Sequence, residues 1–371
     1  MKILIAGDFC PQHRVNQLFE KGDFASVLEN VIPIINSVDY SIVNFECPIT
    51  TNIEKPIEKC GPNLRCSKKG IEALKWAGFN CVTLANNHFL DYGVGGAKNT
   101  IETCQKYGVD TVGGGMNLQE ASAIFYKEVR GKALAVINCC EHEFSIATET
   151  TAGSNPLNPI QQYYAIREAR QKADYVLVIV HGGHEHYQLP SPRMQETYRF
   201  FIDAGADAVV NHHQHCFSGY EVYKGKPIFY GLGNFCFDEE GKSNNIWNEG
   251  YLVQLFFSGE KIEFKYFPYI QCANEPKVLF LAENDLDSRI KELNDIINDC
   301  YRLKKATDEY YKKQLFVIRF LFEPIRNKFI LAAQRRGFFP SLVSKKYILK
   351  VKNSIMCESH RDKLFFFLDT K

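Results

Sequence analysis

Short runs of β-branched and aliphatic residues recur from Lys2 to about Tyr269, each followed by a polar cluster and a stretch with helical periodicity. This order of patterns is typical of an α/β protein, in which strands alternate with helices. The apolar runs predict strands at Lys2–Asp8, Tyr40–Glu46, Asn80–Leu84, Ala133–Asn138, Asp174–Val180, Ala206–Val210 and Pro227–Tyr230. The stretches of helical periodicity predict helices at Phe24–Asn36, Lys68–Ala77, Gly95–Tyr107, Ile160–Lys172 and Pro192–Ala204.

The pattern changes after Tyr230. Two apolar runs, Tyr251–Phe257 and Lys261–Tyr269, are separated only by a few turn residues, which predicts an antiparallel hairpin. A parallel series of strands that ends in antiparallel ones predicts mixed sheets with helices on their outer faces.

Residues 281–371 differ in composition from the rest, with 19 basic against 12 acidic residues, whereas residues 1–280 have an acidic excess. We therefore divide the chain into a domain at 1–280 and a basic helical C-terminal extension at 281–371. Apolar patches that contain or adjoin Lys and Arg lie in the extension at Phe316–Phe322, Phe329–Ala333, Phe338–Leu342, Tyr347–Val351 and Leu364–Leu368. Pro324 and Pro340 are expected to break it into several helices. Two interpretations stay open: helices packed on the domain or on another subunit, and helices lying on an anionic membrane surface.

Composition narrows the class of protein. Of the 371 residues 45% are apolar and 23% charged, which is globular, and a net charge of +1 provides no overall attraction to nucleic acid. The 13 cysteines are scattered and contain no C-x-x-C pair, so reduced thiols are expected. The first apolar run ends at Asp8, too early for a signal peptide, and no run approaches the roughly 18 apolar residues of a membrane-spanning helix. We expect a soluble cytoplasmic protein.

Ligand-type side chains follow the predicted strands, at the point where each strand ends. They come from five distant segments and comprise Asp8, Glu46, Asn87 with His88, His181, and His213 with His215. Taken singly, each is also explained as a cap, a turn or an ordinary loop residue. Because the carboxyl ends of strands lie along one edge of an α/β sheet, we expect these side chains to converge on one cleft. Mixed carboxylate, amide and imidazole ligands suit divalent Mn, Zn or Fe.

Five stretches carry a family resemblance, namely IAGDFC, VNFECPIT, TLANNHFLDYG, HGGHEHYQLPSP and DAGADAVVNHHQHCFSGYEVYKGKPIFYGLGNFCFD. Together they resemble the bacterial capsule-synthesis proteins of the poly-gamma-glutamate type, which belong to the calcineurin-like metallophosphoesterase superfamily. The stretches run in family order from residue 2 to about residue 270. The resemblance implies a four-layer α/β/β/α metallophosphoesterase-like sandwich, with the helical extension beyond it.

The resemblance also implies a ligand set for one or two divalent ions. Asp8 and His215 would bind the first ion, and Asn87, His181 and His213 the second, with Glu46 bridging them. The superfamily commonly has Asp at the bridging position and His where this chain has Cys10. We expect Cys10 to be a small buried hydrophobe; as a ligand it would favour Zn or Fe.

The remaining candidates surround this set. His88 is the expected proton donor to the leaving group, oriented by Asp91, although a backbone carbonyl could instead satisfy its ring. Glu185, Asn234 and Arg14 are candidates for orienting ligands or binding substrate. For His13 and Arg14 a solvated loop is the favoured interpretation.

Two functions of different classes follow. The first is a metal-dependent phosphoesterase-like hydrolase of capsule or cell-surface polymer synthesis, whose substrate is a phosphoester or polymer intermediate. The second is an accessory component of a polymer synthesis or export complex that catalyses no hydrolysis. A weaker third is a protein whose extension binds the inner face of the membrane. No nucleic-acid partner is expected.

Overall fold

The computed structural model describes residues 1–51, 53–243, 245–259, 261–282, 285–322, 333, 336, 338 and 344–369, with the backbone alone at 315–322 and 369. Its strands are β1 (Lys2–Cys10), β2 (Tyr40–Phe45), β3 (Cys81–Thr83), β4 (Asp110–Val112), β5 (Gly114–Gly115), β6 (Phe125–Val129), β7 (Lys132–Cys140), β8 (Gly153–Ser154), β9 (Tyr175–His181), β10 (Ala208–His212), β11 (Tyr220–Tyr223), β12 (Lys226–Phe229), β13 (Asn234–Phe237), β14 (Glu249–Phe256), β15 (Glu263–Gln271) and β16 (Val278–Phe280). Its helices are α1 (His13–Glu20), α2 (Ala25–Leu28), α3 (Ile32–Ile35), α4 (Lys69–Ala77), α5 (Gly93–Tyr107), α6 (Leu118–Ala121), α7 (Pro159–Lys172), α8 (Pro192–Ala204), α9 (Asp287–Ile297), α10 (Cys300–Phe322), α11 (Lys345–Met356) and α12 (Glu358–Asp369).

Two large mixed sheets form the framework. The first follows the order β16-β15-β14-β1-β2-β3-β4, with β13 also pairing with β1. The second follows the order β11-β12-β10-β9-β7-β6. Strands β1 to β4 run parallel in the first sheet, as do β7, β9, β10 and β12 in the second. The predicted hairpin is β14 paired antiparallel with β15.

The alternation of side chains along each strand builds the layers. In β1, Ile3 and Ile5 belong to the core between the two sheets, whereas Leu4 packs in the core under the helices of the first sheet. In β9, Leu177 faces the core between the sheets and Val178 the core under the helices of the second sheet. Three cores therefore separate four layers, and the expected α/β/β/α sandwich is confirmed.

Two local predictions need correction. The helix predicted at Phe24–Asn36 is broken into α2, a 3-10 turn and α3, and Pro33 lies at the start of α3. The solvated loop expected at His13 and Arg14 is wrong, because both residues begin α1. Arg14 forms an ion pair with the buried Asp238 at 2.6 Å and donates to carbonyl oxygens at 272–274. That contact joins residues 224 positions apart, which no local pattern reveals.

The described part of the extension packs on the second sheet's side of the sandwich. Asn294 of α9 accepts a hydrogen bond from the backbone of Tyr220 at 2.7 Å. Helices α10 and α12 contact each other through Tyr311 and Phe366. The side chains of the patches Phe316–Phe322 and Phe329–Ala333, most of Phe338–Leu342, and both Pro324 and Pro340 lie outside the described residues. In the part of the chain that is described, no helix is both long and apolar enough to cross a membrane.

Arg193 connects the extension to the sandwich. Its guanidinium lies 2.7 Å from the buried Glu141 and 2.8 Å from Asp362 of α12. Burial alone would raise the pKa of the Glu141 carboxyl, but attraction to Arg193 and a hydrogen bond from Ser359 hold that pKa below its ordinary value. The arginine therefore neutralises a carboxylate that has little access to water.

We expect Arg193→Met to lower the free energy of unfolding by about 3 kcal/mol or more, because it leaves the charge of Glu141 buried and unpaired. Urea unfolding followed by circular dichroism measures this. The control is Arg130→Met, which removes an exposed pair with Asp39 and should cost less than about 1 kcal/mol. Equal losses in the two variants would contradict the role given to Arg193.

Candidate metal centre

Six buried ligand-type side chains meet where the carboxyl ends of strands from both sheets come together. Asp8 lies near the end of β1, Glu46 directly after β2, and Asn87 just beyond β3 in the first sheet. His181 ends β9, and His213 and His215 follow β10 in the second sheet. All six are buried, with at most 6% of the residue exposed. The structure thus brings together residues that the chain separates by up to two hundred positions.

The donors form two groups of three that share one carboxylate. Asp8, Glu46 and His215 make one group, and Glu46, His181 and His213 the other, with donor atoms within 4.8 Å of one another in each. Nε2 of His181 lies 3.7 Å and Nε2 of His215 3.6 Å from Oε1 of Glu46. Asn87 adds Oδ1 at 3.0 Å from Nε2 of His181. This arrangement suits two ions on either side of a shared carboxylate.

The surroundings of Glu46 indicate whether a divalent cation suits this group of donors. Both of its carboxylate oxygens are buried and have no hydrogen-bond partner among the described residues. Burial, and secondarily the charge of Asp8, raise the pKa of Glu46 well above its ordinary value. Burial and the neighbouring His213 lower the pKa of His181 well below its ordinary value, which favours the neutral imidazole that binds metals. A divalent cation would supply the positive charge that compensates the buried carboxylate of Glu46.

Two asparagines orient the ligands. Asn234 donates from Nδ2 to the carbonyl oxygen of Trp247, which leaves its Oδ1 facing Nδ1 of His215 at 2.9 Å. His215 therefore carries its proton on Nδ1 and presents the lone pair of Nε2 toward Glu46. Asn44 donates to Oδ1 of Asp8 at 2.7 Å and lies 3.3 Å from Nδ1 of His181.

Asn234 was among the predicted candidates, whereas Asn44 was missed. A signal for Asn44 exists, because in VNFE it stands between apolar residues, two positions before Glu46. Its position on β2 pairs it directly with Asp8 of β1. That pairing alone shows that Asn44 contacts Asp8.

The loop that carries the last two histidines is strained. His213 and His215 have φ values of 90° and 53°, in the left-handed region that costs a non-glycine residue about 1–3 kcal/mol. The backbone N–H of His213 donates to Oδ2 of Asp8 at 3.2 Å, which ties the strained loop to the first sheet. His212, also missed, places Nδ1 3.8 Å from Asp8, and burial lowers its pKa to about 3.

His88 directly follows Asn87 in the chain, and Asp91 and Lys59 both contact the Nδ1 side of its ring. Nδ1 of His88 lies 2.6 Å from Oδ2 of Asp91, which also accepts a hydrogen bond from the backbone of Leu64. Lys59 forms an ion pair with Asp91 and lies 3.1 Å from Nδ1 of His88. Lys59 is almost fully buried, and its segment carries no pattern by which the sequence could have identified it.

Other candidates occupy different places. Glu185 is exposed. Desolvation would raise the pKa of its carboxyl, but attraction to His213 and His215 lowers that pKa to about 2. Cys10 lies outside both donor groups, in the core under α1, with its thiol 3.3 Å from Nε2 of Gln12. The guanidinium of Arg14 is directed to Asp238.

Comparison with known proteins identifies the family. Residues 2–239 match the family described as "Bacterial capsule synthesis protein PGA_cap". The chain belongs to this family. It is 34% identical over 247 residues to the capsule biosynthesis protein CapA of Bacillus anthracis, covering 64% of this chain and 60% of that protein. It is 35% identical over 236 residues to the PGA biosynthesis protein CapA of Bacillus subtilis, covering 63% and 62%. The chain thus matches about 60% of the length of these PGA_cap relatives.

Solved structures with similar architecture come from Thermus thermophilus. A hypothetical protein covers 74% of this PGA_cap chain and 100% of its own, at 15% identity and a TM-score of 0.46. A 5'-nucleotidase precursor covers 79% and 57%, at 11% identity and a TM-score of 0.45.

We expect Glu46→Gln to stabilise the metal-free protein while abolishing stabilisation by added metal. The amide keeps the shape of the side chain and cannot ionise, so the variant avoids the cost of burying a carboxyl group that is ionised in the unfolded chain, which is on the order of 1–3 kcal/mol. Thermal unfolding at neutral pH, with a chelator and then with Mn²⁺ or Zn²⁺, measures both effects.

The raised pKa of Glu46 fixes the sign of the pH dependence. The folded metal-free protein should lose stability as the pH rises above the unfolded carboxyl pKa, and the variant should not show this contribution. Glu72→Gln, at a half-buried pair with Lys69, is the control. A metal-dependent rise in melting temperature that survives Glu46→Gln would contradict the assignment of Glu46.

Proposed function

We propose that this PGA_cap protein is a metal-dependent phosphoester hydrolase that acts in the synthesis of capsule or another cell-surface polymer. The observation that carries the proposal is the pair of buried donor groups that share Glu46, beside an oriented His88. Membership of the capsule-synthesis family supports the biological part. The substrate class proposed is a phosphomonoester, a phosphodiester or a phosphorylated polymer intermediate.

The donors favour one or two ions of Mn, Zn or Fe. Carboxylate and imidazole groups are present in both donor sets, Asn87 adds an amide to the set with His181 and His213, and no thiolate belongs to either. Asp8 and His215 would hold one ion, and His181, His213 and Asn87 the other, with Glu46 between them. When bound, such ions activate a water molecule and neutralise charge on phosphoryl oxygens.

His88 supplies the proton that the leaving oxygen requires. Asp91 accepts the hydrogen on Nδ1, so Nε2 is the nitrogen available for proton transfer. Lys59 forms a buried ion pair with Oδ1 of Asp91, and the backbone N–H of Leu64 donates to Oδ2, so both carboxylate oxygens are held in place. His88 is therefore held in one tautomer and orientation.

Replacing His88 by Asn should reduce kcat by about 100-fold or more on esters with poor leaving groups. The loss should be much smaller on a nitrophenyl ester, whose leaving oxygen needs no proton. Initial rates on phenyl and nitrophenyl phosphates and phosphodiesters, with Mn²⁺ or Zn²⁺, measure this difference. Metal content determined in parallel shows that the donor groups are intact.

The control is His13→Asn at an exposed position, which should keep wild-type rates. Equal losses on both leaving groups would sink the assignment of His88 as proton donor. A metal-loaded wild-type protein that hydrolyses none of the four esters would favour the alternative, a non-hydrolytic accessory role in polymer synthesis or export.

We also propose that the protein works in the cytoplasm, against the inner face of the membrane. Helix α11 supports this, because it carries the basic residues Lys345, Lys346, Lys350 and Lys352 and no acidic residue. Ile348 and Ile355 of the same helix are about half exposed. A basic helix with exposed apolar side chains complements an anionic bilayer surface.

Vesicle flotation tests this contact. The wild type should float with phosphatidylglycerol vesicles, and Lys346→Gln with Lys352→Gln should weaken binding by roughly 30-fold, at about 1 kcal/mol for each lysine. Lys21→Gln with Lys98→Gln, which removes the same charge elsewhere, is the control. Failure of the wild type to float, or equal weakening in both double variants, would overturn the membrane contact.

A further inference from the structure

A second group of metal-type donors lies outside the centre described above. Glu143 follows β7 in the sandwich, Cys357 stands between α11 and α12, and His360 is in the first turn of α12. One donor atom from each lies within 4.8 Å of those of the other two. None of the three belongs to the donor groups that share Glu46.

The spacing of these donors suits one ion, and the site is partly enclosed, with 33% of the His360 side chain exposed. Cys357 and His360 are three residues apart at the start of a helix, which brings their side chains to the same side. The thiol is buried, and the side chain of Glu143 is only 8% exposed. Among the described residues, the carboxylate of Glu143 accepts one long side-chain hydrogen bond, from Asn353 at 3.3 Å.

Asn353 provides a fourth donor. Its Nδ2 lies 3.0 Å from Nδ1 of His360 as well as close to Glu143. Because the two ends of an amide are interchangeable in shape, rotation of this side chain presents Oδ1 at the same point. The sulfur, nitrogen and carboxylate oxygen of the group would then have an amide oxygen beside them as a fourth donor for one ion.

We propose that Glu143, Cys357 and His360, with Asn353, bind a structural zinc ion that fastens the C-terminal extension to the sandwich. Thiolate, imidazole and carboxylate are among the ligand types that zinc prefers. The site joins α11 and α12 to the segment after β7, close to the Arg193 contact with Asp362. The family match ends at residue 239, so Cys357 and His360 lie beyond it.

The charged residues near this site are compatible with the proposed ion. Glu141 is already paired with Arg193 and accepts from the backbone of Ser359, so it does not compete for the position. The thiol of Cys357 lies 3.6 Å from Glu141, and burial raises its pKa, so a cation is needed to displace its proton. Lys363 faces Cys357, Glu143 and Glu141 and is the alternative source of positive charge.

Cobalt substitution distinguishes this site from the other centre. We would remove metals from the full chain under reducing conditions, reload it with Co²⁺ and record the near-ultraviolet thiolate-to-cobalt band, which only a cysteine ligand produces. The wild type should show the band. Cys357→Ser should lose the band and one equivalent of bound cobalt, while the exposed Cys300→Ser and the buried Cys10→Ser should keep both.

Further variants make the result independent of the proposed hydrolase. Glu46→Gln disrupts the donor groups that share Glu46 and should leave the thiolate-to-cobalt band unchanged. His360→Gln keeps the thiol and should change the band's intensity and lower cobalt affinity by about 10-fold or more. Absence of the band in folded wild type, its survival in Cys357→Ser, or its loss in Cys10→Ser alone would overturn the proposal.

Discussion

The buried, unpartnered carboxylate of Glu46 is the constraint on which the centre depends. A charge in that position has no exposed surface and no hydrogen-bond donor among the described residues to compensate it, so the folded chain holds it at a cost unless a cation is present. The surrounding groups are arranged to suit that cation. Asn44 and Asn234 turn Asp8 and His215 toward it, and burial keeps His181 neutral.

The two-sheet architecture explains how the donors meet. The carboxylate and amide groups come from β1 and from the segments after β2 and β3 of the first sheet, whereas the imidazoles come from the end of β9 and the segment after β10 of the second. Packing the sheets face to face through a shared apolar core brings both sets of strand ends to one place. A hydrogen bond from the backbone of His213 to Asp8 then joins the sheets at the site itself. The geometry of the donor groups and the packing of the two sheets are therefore linked.

The C-terminal extension also contacts the sandwich close to these donor groups. Arg193 of α8 reaches Asp362 of α12, and Tyr311 of α10 lies 2.9 Å from Nε2 of His184 in the loop that follows His181. Tyr310 stacks on Tyr187 of that loop with ring centroids 4.0 Å apart. Residues beyond the family match thus support the loop that directly follows the candidate donor His181, and the zinc site we propose would add a third link.

Local patterns in the sequence determined much of this protein. Runs of β-branched residues predicted the major strands to within a few residues, and the polar residues at their ends included all six donors, because period-two burial and strand termination leave a mark within a few positions. The family stretches assigned their expected roles. Contacts between distant segments leave no such mark. The tertiary structure alone decided that Lys59 holds Asp91, that Arg14 pairs with Asp238 and that Cys357 lies beside Glu143, because each depends on how segments far apart in the chain pack.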